Sequence, residues 1–274
     1  MLQLLTVILM ALPSQPNEAE AVRNLDQALR NKDYPNAIKF ADEAIKANPK
    51  SARNWFLRGV AQSNHGEHSK ALESMNRVLE LDDKYLDALD YRGSIHFKMG
   101  MMKEAGEDFD KFIKLRPEDY PGHWRRGIAL YYLHRYKEGA DQFNAYQKVD
   151  GNDVENGVWH YLCHARAENR EKARAAMLAI GNDRRIPMME VYSLFQAKST
   201  PAKVMDLAQK APENQQKMAM FYAHLYLGLY HESQDEPKKA IEHMEQAAKL
   251  GPKDHYMGDV ARVHWELLKK SWKP

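Results

Sequence analysis

Histidine and cysteine side chains are the first candidates for chemistry in this chain. His160 and His164 lie four residues apart, on one face of a predicted helix, with Cys163 beside them. Two imidazoles at this spacing could bind a metal ion, but two ligands without a third rarely make a site. His231-Glu232 lacks the second histidine of a zinc-hydrolase motif. We therefore expect no metal, no cofactor and no catalytic residue, and interpret Cys163 as a small buried side chain.

The elements that carry these residues follow from a period in the sequence. Gly59, Gly93 and Gly127 are each 34 residues apart, and Gly228 takes the same place in a last repeat. This period is typical of tetratricopeptide repeats, which are pairs of antiparallel helices. A helix interior disfavours glycine by about 1 kcal/mol relative to alanine. We therefore predict that each glycine marks a close approach between the two helices of its repeat.

The second helices carry two further sets of periodic residues. Small residues at Ala71, Ala105 and Gly139 are expected to face the glycine of the first helix. Large residues at helical spacing are expected to fill the space between repeats. These are Phe109, Phe112, Phe143 and Tyr146.

The predicted fold is all-α: a tetratricopeptide solenoid, in which antiparallel helix pairs form a right-handed superhelix closed by a capping helix. Five repeats are expected within residues 18–185, and a divergent helical pair within 186–216. A last repeat is expected at 217–253, and the capping helix at 254–274. The repeats are predicted to begin near Glu18, Ala52, Leu86, Tyr120, Val154 and Phe221.

The first 16 residues differ from the rest in composition. An apolar run from Leu4 to Leu12 ends abruptly at Pro13, which suits the core of a signal peptide. No lysine or arginine precedes the run, so a segment that covers the first repeat is the alternative. A start upstream of Met1 could supply the missing basic residues. The expected location is the periplasm or cell envelope of a bacterium, or the cytoplasm if the segment is not a signal.

Composition excludes several classes of partner. The net charge of +2 is too small for a nucleic-acid-binding protein, which usually carries a basic surface. No stretch reaches the roughly 18 apolar residues of a membrane-spanning helix, so no integral membrane segment is expected in the mature chain. The expected partner is a protein or a peptide.

Repeat register also predicts a binding surface. In this architecture, the second, fifth, ninth and twelfth places of each first helix face a concave groove. Aromatic residues there would anchor a partner, because aromatics dominate interface energetics. Packing of these residues on neighbouring repeats is the alternative. The candidate groove residues are Arg53, Phe56, Asp87, Asp90, Phe97, Trp124, Ile128 and Tyr131.

Two stretches resemble the bacterial NlpI-like envelope lipoproteins, which are tetratricopeptide proteins. They are "HWRRGIALYYLHRYKEGADQFNAYQKVDGNDVENGVWHYLCHA" and "FYAHLYLGLYHESQDEPKKAIEHMEQAAKL". The resemblance covers roughly Ala52 to the end. It implies a scaffold that docks peptidoglycan hydrolases and a processing protease, often as a homodimer. The lipidated cysteine of those proteins has no counterpart before Cys163, so lipid anchoring is not implied.

The function expected from these features is a non-enzymatic adaptor of the cell envelope that holds a peptide or protein in its groove. An enzyme with an unrecognised site in the divergent stretch 186–216 is one alternative, and a purely structural oligomerisation module is another. Arg184-Arg185, just before that stretch, is predicted to cap the preceding helix, since cations favour helix C-termini, or to contact an acidic partner.

Overall fold

Helices are the regular elements of the protein throughout the part of the chain that the structure describes. The computed structural model describes residues 17–271, so the predicted signal segment 1–16 lies outside the described residues. No strand occurs between residues 17 and 271, and the predicted all-α repeat fold is confirmed. The helices are α1 (Glu18–Arg30), α2 (Tyr34–Ala47), α3 (Ala52–His65), α4 (His68–Leu81), α5 (Leu86–Lys98), α6 (Met102–Leu115), a 3-10 helix (Pro117–Gly122), α7 (Trp124–Tyr132), α8 (Tyr136–Tyr146), α9 (Val154–Ala167), α10 (Arg170–Ala175), α11 (Met188–Phe195), α12 (Pro201–Gln209), α13 (Glu213–Ser233), α14 (Pro237–Leu250) and α15 (Tyr256–Ser271).

The chain divides into two compact units, which we describe separately. The first compact unit contains α1 to α4, up to Tyr85, and each helix packs on the next. Its small core is built from Leu25 and from alanines that let the helices lie close together. Glu18 accepts hydrogen bonds from the amides of Asn48 and Asn54, which join the start of α1 to the end of α2 and the start of α3.

The second compact unit begins at Leu86 and contains α5 to α15. Its helix pairs α5/α6, α7/α8 and α13/α14 are antiparallel neighbours, and α9 packs against α8, α10 and α11. A continuous apolar core runs through this unit and includes the large buried side chains Trp159, Tyr161 and Tyr226. No helix within residues 17–271 combines the length and the apolar character needed to cross a bilayer.

The periodic glycines lie under large side chains of their partner helices. A Cβ atom added to Gly93 would lie 2.6 Å from the ring of Phe109, and one added to Gly127 would lie 2.7 Å from the ring of Phe143. The close approach predicted at these glycines is thus confirmed. Phe109 and Phe143 were expected between repeats, whereas each packs on the glycine of its own repeat, because the missing Cβ leaves room for a ring.

A repeated polar contact accompanies Gly59, Gly93 and Gly127, whereas Leu227 precedes Gly228. The arginine before the glycine reaches a polar side chain sixteen residues later, on the second helix of the same repeat. Arg58 donates to Ser74 at 3.0 Å, Arg92 pairs with Asp108 at 2.5 Å, and Arg126 donates to Gln142 at 3.1 Å. Glycine and arginine together therefore fix the register between the two helices of a repeat.

The regular pattern changes at three places. Trp124, not Tyr120, begins α7, because Pro117–Gly122 forms a separate 3-10 turn. In the next repeat Tyr161 stands at the place of the glycines, and its buried ring packs on Phe195 of α11. The second helix of that repeat, α10, is short, and an irregular segment, 176–187, follows it. Finally, α13 begins well before Phe221, at Glu213.

Candidate functional site

The last helix, α15, lies against the predicted groove surface of the second compact unit. Its first residue, Tyr256, stacks on Phe97 of α5 with ring centroids 5.2 Å apart. The same ring meets Trp124 of α7 edge-on at 5.1 Å. Further along α15, His264 Nδ1 lies 2.9 Å from the hydroxyl of Tyr132. The chain's own final helix therefore covers part of the surface that repeat register assigns to a partner.

Three of the predicted groove residues are buried, and α15 covers one of them, Phe97. Phe97, Ile128 and Tyr131 expose between 0% and 6% of their surface. The prediction that these side chains lie open in the groove is wrong. Tyr256 covers Phe97, and Tyr131 packs edge-on against Trp159 at 5.3 Å. These aromatic residues contribute to the core, whereas Trp124 is only half-buried.

The two predicted groove aspartates have different surroundings. Asp87 is exposed. Asp90 accepts a hydrogen bond from Arg125 at 2.5 Å and lies 3.1 Å from Nε2 of His123. Burial opposes ionisation of Asp90, but hydrogen bonds and charge from His123 and Arg125 outweigh it and lower the pKa of this carboxyl group. Asp90 thus holds the start of α7, where His123 caps the helix by accepting from the Arg126 amide.

The remaining predicted residues, Arg53 and Phe56, belong to the first compact unit. The Arg53 side chain is 62% exposed and lies 3.7 Å from a carboxylate oxygen of Asp26. Phe56 is half-buried, and its ring centroid lies 5.3 Å from that of Tyr85. An exposed ion pair of this kind contributes at most about 1 kcal/mol to stability, so Arg53 is available to a partner.

A cavity of about 350 Å³ opens beside α15 in the second compact unit. This volume is within the usual range for ligand sites. Trp124 and Ile128 of the predicted groove line it. The other lining residues come from α8, from the first turns of α9, from Arg185 and from the segment that leads into α15. They are Phe143, Tyr146, Asp153, Glu155, Asn156, Trp159, Arg185, Asp254, His255, Tyr256 and Met257.

Four buried polar atoms of the cavity wall have no hydrogen-bond partner in the structure. They are Nε1 of Trp159, Oδ1 of Asn156, Nδ1 of His255 and the hydroxyl of Tyr256. Trp159 is 1% exposed and Asn156 2% exposed. A buried polar group without a partner costs about 1–3 kcal/mol. Four such groups belong to residues that line one opening, so a polar ligand bound there would offer them partners.

Neighbouring hydrogen bonds fix which atom of the Asn156 side-chain amide lacks a partner. Gln147 donates through Nε2 to the carbonyl oxygen of Ala179 at 2.6 Å. Its Oε1 atom therefore accepts, and it does so from Nδ2 of Asn156 at 3.2 Å. The amide nitrogen of Asn156 is thereby used, so the atom without a partner is the carbonyl oxygen.

Arg185 joins three carboxylates at one side of the cavity. Its guanidinium lies 2.6 Å from Asp153 and 2.5 Å from Asp183, and it also donates to Glu155. Glu155 in turn accepts from the hydroxyl of Tyr226 at 2.5 Å. Burial and then repulsion from Glu155 raise the pKa of Asp153 to about 6, although Arg185 opposes the shift. One guanidinium thus only partly compensates the local negative charge.

Glu155 takes the second place of its repeat, which register puts on the groove side, but the cluster of Arg185 with Asp153, Glu155 and Asp183 was not predicted. Arg185 was predicted to cap a helix or to contact an acidic partner. In the structure it instead binds acidic side chains of its own chain. About 30 residues separate it from Asp153 and Glu155, and no periodicity relates them. The acidic Asp183 directly before the basic Arg184 and Arg185 is the one feature of the sequence that indicates a cluster of ion pairs here.

The histidine and cysteine candidates contribute to packing. Cys163 is fully buried, and its sulfur lies 2.9 Å from the position of a Cβ atom added to Gly139. The interpretation of Cys163 as a small core residue is confirmed. Burial and the neighbouring His164 lower the pKa of His160 to about 4, so His160 is neutral at physiological pH. In the divergent stretch, Met188 and Phe195 are likewise buried.

Comparisons with known proteins agree with the repeat architecture. Tetratricopeptide-repeat family models match residues 19–85 and residues 88–119. Human serine/threonine-protein phosphatase 5 is 34% identical over 88 residues, which are 32% of this chain and 18% of the phosphatase. The mouse phosphatase has the same identity over the same length. The chain therefore spans less than a fifth of the length of these relatives, and the match lies in their repeat region.

Solved structures show the same fold. A tetratricopeptide repeat protein from Parabacteroides merdae superimposes with a TM-score of 0.60 at 18% identity, over 92% of this chain and 98% of that protein. MamA from Desulfovibrio magneticus RS-1 superimposes with a TM-score of 0.54 at 17% identity, over 59% of this chain and 92% of MamA. At these identities the similarity is one of fold.

Proposed function

We propose that this chain of tetratricopeptide-repeat fold is a non-catalytic adaptor, which binds a segment of a protein partner in the cavity beside α15. The observation that carries the proposal is the set of four buried polar atoms without partners in the cavity wall. An indole N–H requires an acceptor, and an amide oxygen requires a donor. A polypeptide segment supplies both kinds of group within a few atoms of each other.

Aromatic side chains around the cavity support the same proposal. Trp124, Trp159 and Tyr256 offer rigid apolar surface next to the polar atoms. Tryptophan and tyrosine are enriched among residues that dominate the energy of protein interfaces. Repeat folds of this kind form extended binding surfaces rather than reaction centres.

We also propose that the adaptor acts in a bacterial cell envelope after export. The support is the apolar run from Leu4 to Leu12 and the resemblance to the NlpI-like lipoproteins. That resemblance suggests peptidoglycan hydrolases or a processing protease as partners, and a homodimer as the assembly. N-terminal sequencing of the native protein should find a chain that starts after the apolar run. Recovery of intact Met1 from a cytosolic fraction would contradict export.

Peptide selection tests the binding site itself. A display library of random peptides is selected against the full-length protein, and the affinities of the selected peptides are measured for wild type, Trp124→Ala and Trp265→Ala. Trp265 is a half-buried residue of α15 that does not line the cavity, so it is the matched control. Removal of a tryptophan at an interface typically costs about 2 kcal/mol, which is about a thirtyfold loss of affinity.

Trp124→Ala should therefore weaken binding about thirtyfold, and Trp265→Ala should leave the affinity unchanged. Binding should also shift the indole N–H signal of Trp159 in the nuclear magnetic resonance spectrum, because this group would gain an acceptor. Failure to select any peptide, or equal affinity of both variants together with an unmoved Trp159 signal, would exclude the cavity as the binding site.

A further inference from the structure

The charge of the cavity wall indicates what kind of peptide it accepts. Three carboxylates line the cavity, those of Asp153, Glu155 and Asp254, and Asp183 lies directly behind them. Among the lining residues that the structure describes, Arg185 is the one with a permanent positive charge. Because Arg185 already contacts three of these carboxylates, it has little capacity left for an anionic ligand.

His255 does not compensate the negative charge at neutral pH. Burial, and after it the charge of Arg185, lower the pKa of His255 below its ordinary value. The ring is therefore neutral, and its Nδ1 atom has no hydrogen-bond partner. Three carboxyl groups, those of Asp153, Glu155 and Asp183, thus share one guanidinium at this side of the cavity, which favours a cationic ligand.

The geometry of the aromatic wall favours a cation as well. Trp124 and Tyr256 stand edge to face, with an interplanar angle of 89°, so their rings present differently oriented π surfaces. Trp159 also lines the cavity and is almost completely buried. The face of an aromatic ring attracts a cation, and the attraction grows as the cation loses water. The carbonyl oxygen of Asn156 is in addition a free acceptor for an N–H group of the ligand.

We propose that the cavity binds a basic side chain, lysine or arginine, of the partner peptide, with the ammonium or guanidinium group placed between the carboxylates and the aromatic rings. The inference rests on the proposed function, since it assumes that a peptide occupies the cavity. It adds that one positively charged residue is the specificity determinant. The indole N–H of Trp159 then donates to a carbonyl oxygen of the same peptide.

Short peptides of defined sequence test this inference with the full-length protein. The probes are acetyl-Gly-X-Gly-amides in which X is lysine, arginine, norleucine or glutamate. Binding is followed by the indole N–H resonance of Trp159 and by tryptophan fluorescence. The lysine or the arginine peptide should bind at least tenfold more tightly than the norleucine peptide, which has a similar length but no charge. The glutamate peptide should bind most weakly, and the two basic peptides together distinguish an ammonium from a guanidinium preference.

Asp153→Asn is the informative variant. Asp153 caps α9 by accepting from the Glu155 amide, and asparagine is an equally good cap, so the helix is retained while one charge is lost. Affinity for the basic peptide should fall at least tenfold, and affinity for the norleucine peptide should not change. Asp33→Asn is the matched control, because Asp33 caps α2 in the first compact unit and does not line the cavity.

The outcomes separate this inference from the proposed function. Equal binding of the lysine, arginine and norleucine peptides, or an Asp153→Asn variant with unchanged affinity for the basic peptides, would overturn the basic-residue inference. If the basic peptides do not bind while peptides from the unbiased library still shift the Trp159 resonance, the inference is wrong and the adaptor function stands. If neither set binds, both are wrong. Thermal unfolding of each variant verifies that the variant is folded.

Discussion

Asp153 combines two roles that make opposite demands on its charge. Its carboxylate caps α9, and helix N-termini favour negative charge, yet burial beside Glu155 penalises that charge. The net result is a pKa of about 6, whereas an aspartate in an unfolded chain titrates near about 4. A carboxylate in this state gains by meeting a cation, which is the physical reason to expect one in the cavity.

Asp153→Asn should stabilise the free protein at neutral pH. Between about pH 4 and pH 6 the native carboxyl holds a proton that the unfolded chain has lost, so this group makes stability fall as pH rises through that window. At pH 7.5 the penalty is fully present, and a shift of about two pKa units corresponds to at most about 3 kcal/mol. We expect the variant to melt above wild type at pH 7.5, and the difference to disappear at pH 4.5.

Asp108→Asn is the control for the Asp153→Asn measurement, because the opposite change in melting temperature is expected. Burial of Asp108 is outweighed by hydrogen bonds from His96 and Arg92, so its pKa is lowered and its ionised form stabilises the fold. This variant should melt below wild type at pH 7.5. A melting temperature of Asp153→Asn below that of wild type at pH 7.5 would show that the Arg185 contact outweighs the burial of Asp153.

Truncation of Tyr131 tests whether this residue belongs to the core or to a binding surface. Its ring packs between Tyr132, Tyr136 and Trp159, and its hydroxyl accepts from Arg166 at 3.4 Å. Tyr131→Ala should lower the free energy of unfolding by about 3–5 kcal/mol, as truncation of a large buried side chain does. Chemical denaturation measures this, with the exposed Leu207→Ala as control. A loss below about 1 kcal/mol would place the ring at the surface.

At the scale of the helix, glycine and the residue above it form one packing unit. The ring of Phe143 occupies the space that a side chain at position 127 would need. A tyrosine at the equivalent place, Tyr161, coincides with the short helix α10 and with the irregular segment after it. We infer that the regular repeat pattern ends where the glycine is lost, because a large residue there prevents the same close approach.

Gly127→Leu tests this packing. The added side chain would overlap the ring of Phe143, and overpacking of a closed helix pair typically costs about 1–3 kcal/mol. The melting temperature should therefore fall by several degrees. Gly122→Leu is the control, since Gly122 is exposed and a Cβ atom there meets nothing within 4 Å. Equal melting of the two variants would mean that the ring of Phe143 moves aside without cost.

Helix α15 explains why register alone misjudged the exposure of Phe97. Tyr256, His264 and Asp259 contact α5, α7 and α13: Tyr256 meets Phe97, His264 lies 3.1 Å from Glu232, and Asp259 lies 3.5 Å from Lys98. A face that would be open in an array without this helix is thereby covered. The cavity at the N-terminal end of α15 stays open, and four of the buried polar atoms without partners belong to residues that line it.

At the scale of the whole molecule, every residue that lines the cavity belongs to the second compact unit. A chain of residues 86–274 should therefore retain peptide binding. We expect its affinity for a selected peptide to lie within about threefold of the full-length value, because no wall residue is lost. Calorimetry on both chains measures this, and circular dichroism verifies that the shorter chain is helical. A folded 86–274 chain without affinity would assign the decisive contacts to the first compact unit.

The sequence alone determined the all-α fold and the pairing of helices in the regular repeats. The two helices of each regular repeat must meet at the same register. Glycine therefore recurs every 34 residues, at positions 59, 93 and 127, with an arginine before each. Burial of Cys163 follows from the same period. These features depend on residues within one repeat, where spacing along the chain translates directly into spacing in three dimensions.

Only the tertiary structure decided which surface is open and what charge it carries. Arg185 reaches Asp153 across about 30 residues through an irregular segment, and Tyr256 reaches Phe97 across about 160. The path of an irregular segment and the docking of a last helix depend on how apolar surfaces and charges from distant parts of the chain fit together. The repeat period of the sequence contains no information about this fit. Only the folded chain therefore shows the cavity and the burial of Phe97, Ile128 and Tyr131.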